Sequence, residues 1–291
     1  MSQAARGTIA LEAGRVLAQE AHPAGQYVLR IAAPVCAARA TAGSFVHLQC
    51  AADLPMRRPL SIYRRDTDAG WIEVLYKVVG EGTAALAQRR NGESLSVLGP
   101  IGRGFTPVAG RPRALLLGGG VGIPPLVFLA LQLRKDDPRS RPLAIFGSEI
   151  PFPFELAAAP RAVAFMPATA TAGMTLLEDA GVDVRLASRA GITGCFDGFV
   201  TDLARLWLEA QEGAPLRDLA VYACGPHGML EAVAALCREF NLPCQVSLEE
   251  YMACAVGGCA GCTVRVQTDA GPAMKRVCVD GPVFEAQTVF G

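Results

Sequence analysis

The sequence predicts three consecutive folding units: an antiparallel β-barrel over residues 1–109, a parallel-sheet α/β domain over 110–246, and a small β-rich domain over 247–291. Three observations predict this order. Short alternating segments such as Gln26–Ile31 and Phe45–Gln49, joined with Trp71–Val79 and Ser94–Leu98 by turn residues, read as strands of a small barrel. Beyond Arg111-Pro112-Arg113, apolar runs alternate with helical stretches. Beyond Val246 the chain turns rich in cysteine and glycine and is too short for a large apolar core, so a bound metal centre has to supply stability.

Within the middle unit the expected strands are Ala114–Leu117, Leu143–Phe146, Val163–Met166 and Leu219–Ala223, with helices at Pro125–Arg134, Gly198–Gln211 and Gly228–Phe240. Strand–helix alternation implies a parallel sheet with crossover helices. The run Ala114–Leu133 holds 20 uncharged residues, long enough to span a bilayer. Gly118-Gly119-Gly120, Gly122 and Pro124-Pro125 break it, so a membrane span is not expected and a buried strand, turn and helix are.

Composition narrows the function classes. The 27 Lys and Arg balance 27 Asp and Glu among 291 residues, which offers no bulk attraction to nucleic acid or anionic membrane. Apolar residues at 51% and charged residues at 19% exclude a disordered chain. The N-terminal residues lack a secretory h-region, and ten cysteines then point to thiols in a reducing compartment, the cytoplasm. Cys36, Cys50, Cys195, Cys237 and Cys244 are scattered and read as small buried hydrophobes.

Four cysteines are not scattered. Cys254-x4-Cys259-x2-Cys262-x15-Cys278 carries the plant-type ferredoxin spacing of a [2Fe–2S] cluster in its first three positions. Small residues between them, Ala255-Val256-Gly257-Gly258 and Ala260-Gly261, let backbone wrap an inorganic cluster and aim N–H groups at its sulfurs. Structural zinc also takes four thiolates, but usually on two similar Cys-x2-Cys knuckles, and here there is one.

Leu115-Leu116-Leu117 followed by Gly118, Gly119, Gly120, Val121, Gly122 and then Ile123-Pro124-Pro125 reads as strand, phosphate-cradling turn and helix start. The G-x-G-x-x-G fingerprint is not met, since Pro125 stands at its third glycine, and a tight structural turn explains the run equally well. Glu149, just past the next strand, is placed to bond ribose hydroxyls and to repel a 2′-phosphate, which favours NAD over NADP; a solvated loop residue is the alternative. In the barrel, Arg58-Pro59-Leu60-Ser61 sets a guanidinium and a hydroxyl on one strand edge. Gly80-Glu81-Gly82-Thr83 ends another strand before the helical Ala84–Gln88, with Thr83 as a candidate cap and the helix start as a phosphate site.

The order of these motifs, with Cys224-Gly225-Pro226, resembles the ferredoxin–NADP reductase superfamily. The C-terminal segment from Ser247-Leu248-Glu249-Glu250 through the four cysteines to Cys278-Val279-Asp280-Gly281-Pro282-Val283-Phe284 resembles the electron-transfer subunits of NAD-dependent dihydroorotate dehydrogenase. The resemblance implies an FAD-binding barrel, an NAD-binding domain and a [2Fe–2S] domain, in a hetero-oligomer with a separate flavin-containing dihydroorotate dehydrogenase catalytic subunit. It implies that Arg58, Pro59, Leu60, Ser61, Leu75, Tyr76, Lys77, Gly82 and Thr83 contact FAD. Gly118, Gly119, Gly120, Cys224, Gly225 and Pro226 then flank the nicotinamide nucleotide, and the four clustered cysteines hold the metal. Leu60 replaces a frequent aromatic residue, Ala255 replaces a frequent glycine, and the fourth cysteine follows sooner than in plant ferredoxins.

No side-chain nucleophile or acid–base pair is called for, because hydride exchange is the cofactors' own chemistry. Of three histidines, His22, His47 and His227, the second is expected to face outward on its strand and the third to follow a turn proline. Two other readings compete. One is a related FAD/[2Fe–2S] subunit serving a hydrogenase, a sulfite reductase or a bifurcating transhydrogenase, and the other a zinc-stabilised binding module on a reductase scaffold.

Overall fold

The computed structural model describes residue 7, residues 9–211 and residues 216–291. They form two compact units: the described residues up to Gly104 together with Leu248–Val283, and Phe105–Ser247 together with Phe284–Gly291.

The first unit is built on six strands: β1 (Ala10–His22), β2 (Gln26–Ala32), β3 (Phe45–Gln49), β4 (Arg58–Asp66), β5 (Trp71–Lys77) and β6 (Ser94–Ile101). They close as a barrel in the order β1-β2-β5-β4-β3-β6, every neighbouring pair antiparallel. Leu29, Ile31, Val46, Leu48, Ile62, Ile72, Val74 and Val97 are buried, so the β-branched residues that favour strands also fill the interior. Gly14 in β1 is required by packing, since a Cβ there falls 2.6 Å from Ile31 and 2.7 Å from Val97. Buried Glu73 is held by Arg30 at 2.8 Å and Arg64 at 2.5 Å, which compensates the cost of burying its charge. Helix α1 (Pro34–Arg39) follows β2, and α2 (Glu81–Ala87) precedes β6.

In the second unit, β7 (Arg113–Gly119) leads through a 3-10 turn at Gly120–Gly122 into α3 (Ile123–Asp136). The uncharged run is thus a strand, a turn and a helix, and among the described residues no helix is long and apolar enough to cross a membrane. There follow β8 (Leu143–Gly147), a hairpin of β9 (Leu156–Ala158) and β10 (Ala172–Met174), α4 (Thr175–Asp179), β11 (Asp183–Ala187), α5 (Val200–Glu209), β12 (Leu219–Cys224), α6 (His227–Glu239) and β13 (Cys244–Ser247). Strands β11-β8-β7-β12-β13 pair in parallel, which puts the carboxyl ends of β7, β8 and β12 at one edge, where open α/β sheets bind ligands.

One expected strand is absent. Val163–Met166 is a turn, with Phe165 exposed at φ 66°, and the fourth parallel strand is Asp183–Ala187 instead. Prolines at 160 and 167 bracket the false run.

The chain re-enters the first unit at Leu248 and adds the hairpin β14 (Thr263–Thr268) and β15 (Gly271–Arg276), then the one-turn helix α7 (Val277–Asp280) that carries Cys278. The main chain of Arg103 donates to Gly281 at 2.5 Å and accepts from Val283, which ties this segment to the end of β6. Short β16 (Val283–Glu285) completes the edge of the second unit's sheet and α8 (Ala286–Phe290) ends the chain.

Candidate functional site

The first unit brings the four clustered cysteines together. Cys262 and Cys278 approach to 3.3 Å between sulfurs, from the start of β14 and from α7. Two thiolates on one tetrahedral ion lie about 3.8 Å apart, so this pair is spaced for a shared metal. Cys254 and Cys259 form the other pair: the Cys259 amide donates to the Cys254 sulfur at 3.4 Å, and Gly261 donates to the Cys259 sulfur at 3.4 Å. Among the described residues no group of three or more His, Cys, Asp or Glu converges on a single-ion site. The sulfurs stand as two pairs, that of Cys254 and Cys259 wrapped by the amides of Cys259 and Gly261, and such a donor set fits a binuclear centre that would be held by two cysteines at each end.

The loop is shaped for this role. Ala255 and Ala260 both adopt φ 55° and Gly257 φ 83°, left-handed values that turn successive N–H groups inward. Burial raises the Cys254 thiol, but amides of Cys259, Val256 and Gly258 outweigh it and lower the group to about 7. Burial, together with the neighbouring Cys262 thiol, pushes bare Cys278 up to about 12. A metal held there would displace a tightly held proton.

In the barrel wall one strand ladder stops short of the ends of its strands. The β4–β5 ladder runs from Asp66↔Trp71 to Ile62↔Val74 and ends there. Arg58, Pro59, Leu60 and Ser61 lie past that end on β4, and Leu75, Tyr76 and Lys77 lie past it on β5. Two strands leaving their ladder in a closed barrel form a slot, and a planar ring fits a slot. The Arg58 guanidinium lies over Gly82, where a Cβ would fall 2.6 Å from Nε, so glycine is needed for that approach.

Helix α2 starts earlier than the sequence suggests, at Glu81. Thr83 is therefore not its N-cap but the third helical residue, whose hydroxyl accepts from the amides of Val79 at 3.0 Å and Gly80 at 3.3 Å. The helix is anchored from behind. Gln19 donates to the carbonyls of Leu86, Ala87 and Arg89, and accepts from the Tyr76 hydroxyl at 3.0 Å. Tyr76 thus spends its hydroxyl on the scaffold, and its ring stacks on Tyr27 at 5.5 Å.

His47 departs from expectation. It is fully buried, and among the described residues no group meets hydrogen-bond geometry with either ring nitrogen, although two carbonyls lie near the ring. Burial, then the Arg57 charge, lowers it to about 4 against the carbonyls of Arg57 and Met252, which favour the protonated ring. Met252 stands two residues before Cys254, and Pro59 on the slot's lip is the cross-strand partner of His47. The approach to the cysteine loop therefore lies one strand from the slot. Alternation along β3 carried no sign of this, because the covering segment is some 200 residues away in sequence.

In the second unit, Cys224 pairs with Gly118 across β12 and β7, and the two strand ends nest on glycine. A Cβ at Gly118 falls 2.8 Å from Phe146, at Gly119 2.5 Å from the Met229 sulfur, and at Gly225 2.8 Å from the same sulfur. Gly120 has φ 55° and no described residue within 4 Å of an added Cβ, so it needs its conformation rather than the space. Pro226 immediately precedes α6, Cys224 is buried, and Glu149 is exposed two residues past β8. The turn, Cys224–Pro226 and the β8 end lie along one carboxyl edge, which fits a dinucleotide.

A family model described as the iron–sulfur cluster binding domain of dihydroorotate dehydrogenase B matches residues 249–290. The dihydroorotate dehydrogenase B (NAD+) electron transfer subunit of Bacillus caldolyticus is 39% identical over 252 residues, covering 85% of this chain and 86% of that protein. The chain belongs to this family of electron-transfer subunits. The corresponding subunit of Caldanaerobacter subterraneus subsp. tengcongensis is 35% identical over 248 residues, covering 85% of this chain and 86% of that protein. Family membership makes the subunit part of an oxidoreductase, with an iron–sulfur domain at its C-terminus and FAD and NAD domains of the reductase type. Among solved structures, an NADH-dependent reduced ferredoxin–NADP oxidoreductase superposes with a TM-score of 0.76 at 24% identity, covering 96% of this chain and 90% of that one. A ferredoxin–NADP+ reductase from Neisseria gonorrhoeae gives 0.59 at 16% identity, covering 79% and 91%. At those identities the likeness establishes the fold.

Sequence reasoning missed two residues near the cysteines. Besides His47, Arg276 donates from Nη1 to the Gly257 carbonyl at 2.8 Å. Its signal in the sequence is slight: a cation two positions before Cys278, a candidate ligand.

Proposed function

We propose that this subunit passes electrons from a flavin-containing catalytic subunit, which oxidises dihydroorotate, to NAD+, with Cys254, Cys259, Cys262 and Cys278 holding a [2Fe–2S] cluster. The observation that carries the reading is the arrangement of these sulfurs as two pairs, one of them wrapped by amide donors, in the same unit as a barrel whose β4–β5 ladder stops short. When bound, FAD exchanges a hydride with nicotinamide and single electrons with the cluster, so it joins two-electron to one-electron chemistry.

The residues of this chain bind, orient and exclude water. Arg58 to Ser61 and Leu75 to Lys77 form the two lips that grip the flavin ring, and Gly82 and Thr83 present main-chain amides to its phosphates. Arg58 supplies permanent positive charge to the same phosphates. In the second unit Gly118, Gly119, Gly120 and Gly122 let backbone approach a pyrophosphate. Glu149 accepts from ribose hydroxyls, which selects NAD over a 2′-phosphorylated dinucleotide. Cys224, Gly225 and Pro226 bound the nicotinamide. No protein group has to take or give a proton.

The functional division at 109/110 and 246/247, the hetero-oligomer and a reducing, cytoplasmic setting for ten thiols are part of the same proposal. Exposed Cys259, with Tyr251 at 95% and Val256 at 51% exposure, supports docking of the catalytic subunit over the cysteine loop.

Anaerobic purification followed by absorption spectroscopy and assay of iron, acid-labile sulfide and flavin tests the proposal. Two irons, two sulfides and one FAD per chain are expected, with co-purification of a protein that oxidises dihydroorotate. A colourless chain with one zinc overturns it.

A further inference from the structure

Arg276 ends β15 two residues ahead of Cys278, and three contacts fix it. Its guanidinium donates to the Gly257 carbonyl at 2.8 Å, its main-chain amide donates to Asp280 Oδ2 at 2.9 Å, and Nε lies 4.0 Å from that carboxylate. The side chain is 28% exposed, so solvent screens it only in part. Gly257 is bent to receive it. Its φ is 83°, and an added Cβ falls 2.5 Å from Val279 Cγ2 and 3.3 Å from Arg276 Nη1.

The carbonyl that Arg276 engages and the amide of Gly258 are the two ends of one peptide group. That amide is among the donors directed at the Cys254 sulfur, alongside those of Val256 and Cys259. A cation on the oxygen end of a peptide withdraws electron density and makes its N–H a stronger donor, since hydrogen bonds in a chain polarise one another. Hydrogen bonds to cluster sulfurs stabilise the reduced, more negative form.

We propose that Arg276 is a positioning residue that sets the reduction potential of the cluster, acting through the Gly257–Gly258 peptide on the Cys254 sulfur. The inference rests on the four-cysteine reading above. Arginine suits this role because its charge is permanent and its planar fork reaches a carbonyl while bracing against Asp280. Lys275 is the natural comparison. It carries the same charge one residue earlier, but strand alternation turns it to the other face, paired with Val264.

The experiment is a redox titration of the anaerobically purified full-length chain, monitored by electron paramagnetic resonance, for wild type, R276M, R276Q and K275M. Iron and sulfide content is measured on each sample. The expected result is a midpoint shifted to more negative potential in R276M, a smaller shift in R276Q, which keeps a neutral donor, and no shift in K275M. If R276M loads no cluster, the R276Q shift decides. Loaded Arg276 variants that titrate with wild type overturn the inference. So does a K275M shift as large as that of R276M, since net charge then suffices without this peptide. Wild type lacking iron removes the four-cysteine reading itself, and the inference falls with it.

Discussion

Gly122 lies directly beneath the last peptide of β12: a Cβ added there falls 2.5 Å from the carbonyl carbon and oxygen of Cys224 and 2.5 Å from the amide of Gly225. The glycine turn and the Cys224–Pro226 segment are thus two halves of one wall. Backbone cannot yield as a flexible side chain can, so Gly122→Ala drives the halves apart. The expected cost is about 1–3 kcal/mol of stability. Steady-state kinetics on the same variant should show KM for NADH rising at least several-fold. An unchanged melting temperature and KM would refute the shared wall.

Arg58 is the barrel's charged contact over Gly82. Losing a charge-assisted hydrogen bond costs about 1.5–3 kcal/mol. Arg58→Ala should therefore weaken FAD binding roughly 10- to 100-fold, read by flavin fluorescence during titration of deflavinated protein. The cluster content should stay at the wild-type level, because none of the four cysteines touches this residue in the proposed assignment.

The left-handed alanines of the cysteine loop make a graded prediction. Ala260 is exposed at φ 55°, so its substitutions report backbone strain with little change in packing. Ala260→Gly should stabilise the loaded protein by up to about 1 kcal/mol, and Ala260→Val should destabilise it by about 1–2 kcal/mol. Thermal melts under argon give the order directly.

Much of this site was legible because it is written in local spacing. Four cysteines at x4, x2 and x15 mark a candidate metal loop wherever the rest of the chain goes, and a glycine run after Leu115–Leu117 specifies a tight strand-to-helix turn. What depends on long-range pairing was not legible. The slot exists because the β4–β5 ladder stops at Ile62↔Val74, a property of register rather than of any one residue. Val163–Met166 looked like a strand by its apolar run. The real strand, Asp183–Ala187, hides Arg185 beside buried Glu178, an ion pair at 3.6 Å that hydropathy cannot reveal. Thr83 has the residue type of a cap but lies two positions inside its helix, because Gly80 takes the extended conformation first.

His47 predicts acid sensitivity. Its folded value of about 4 lies below the ordinary value of 6.5, so between those limits the unfolded chain binds more protons than the folded one. Stability is therefore lost as pH falls from about 6.5 towards 4, by an amount of order 1–3 kcal/mol for this group. Denaturant unfolding at about pH 7.5 and about pH 5.5, on either side of the ordinary histidine value, should show a smaller difference for His47→Leu than for wild type. Equal differences would contradict the neutral buried ring.

In the proposed function, the sulfurs of Cys254, Cys259, Cys262 and Cys278 wire an iron pair to the flavin. Electron paramagnetic resonance of the anaerobic chain reduced by NADH checks that wiring. Wild type should give the half-spin signal of a reduced two-iron cluster, and Cys259→Ser should lose or alter that signal while NADH still bleaches its flavin. A wild-type sample whose flavin bleaches with no iron signal, or a Cys259→Ser sample with an unaltered one, contradicts the account.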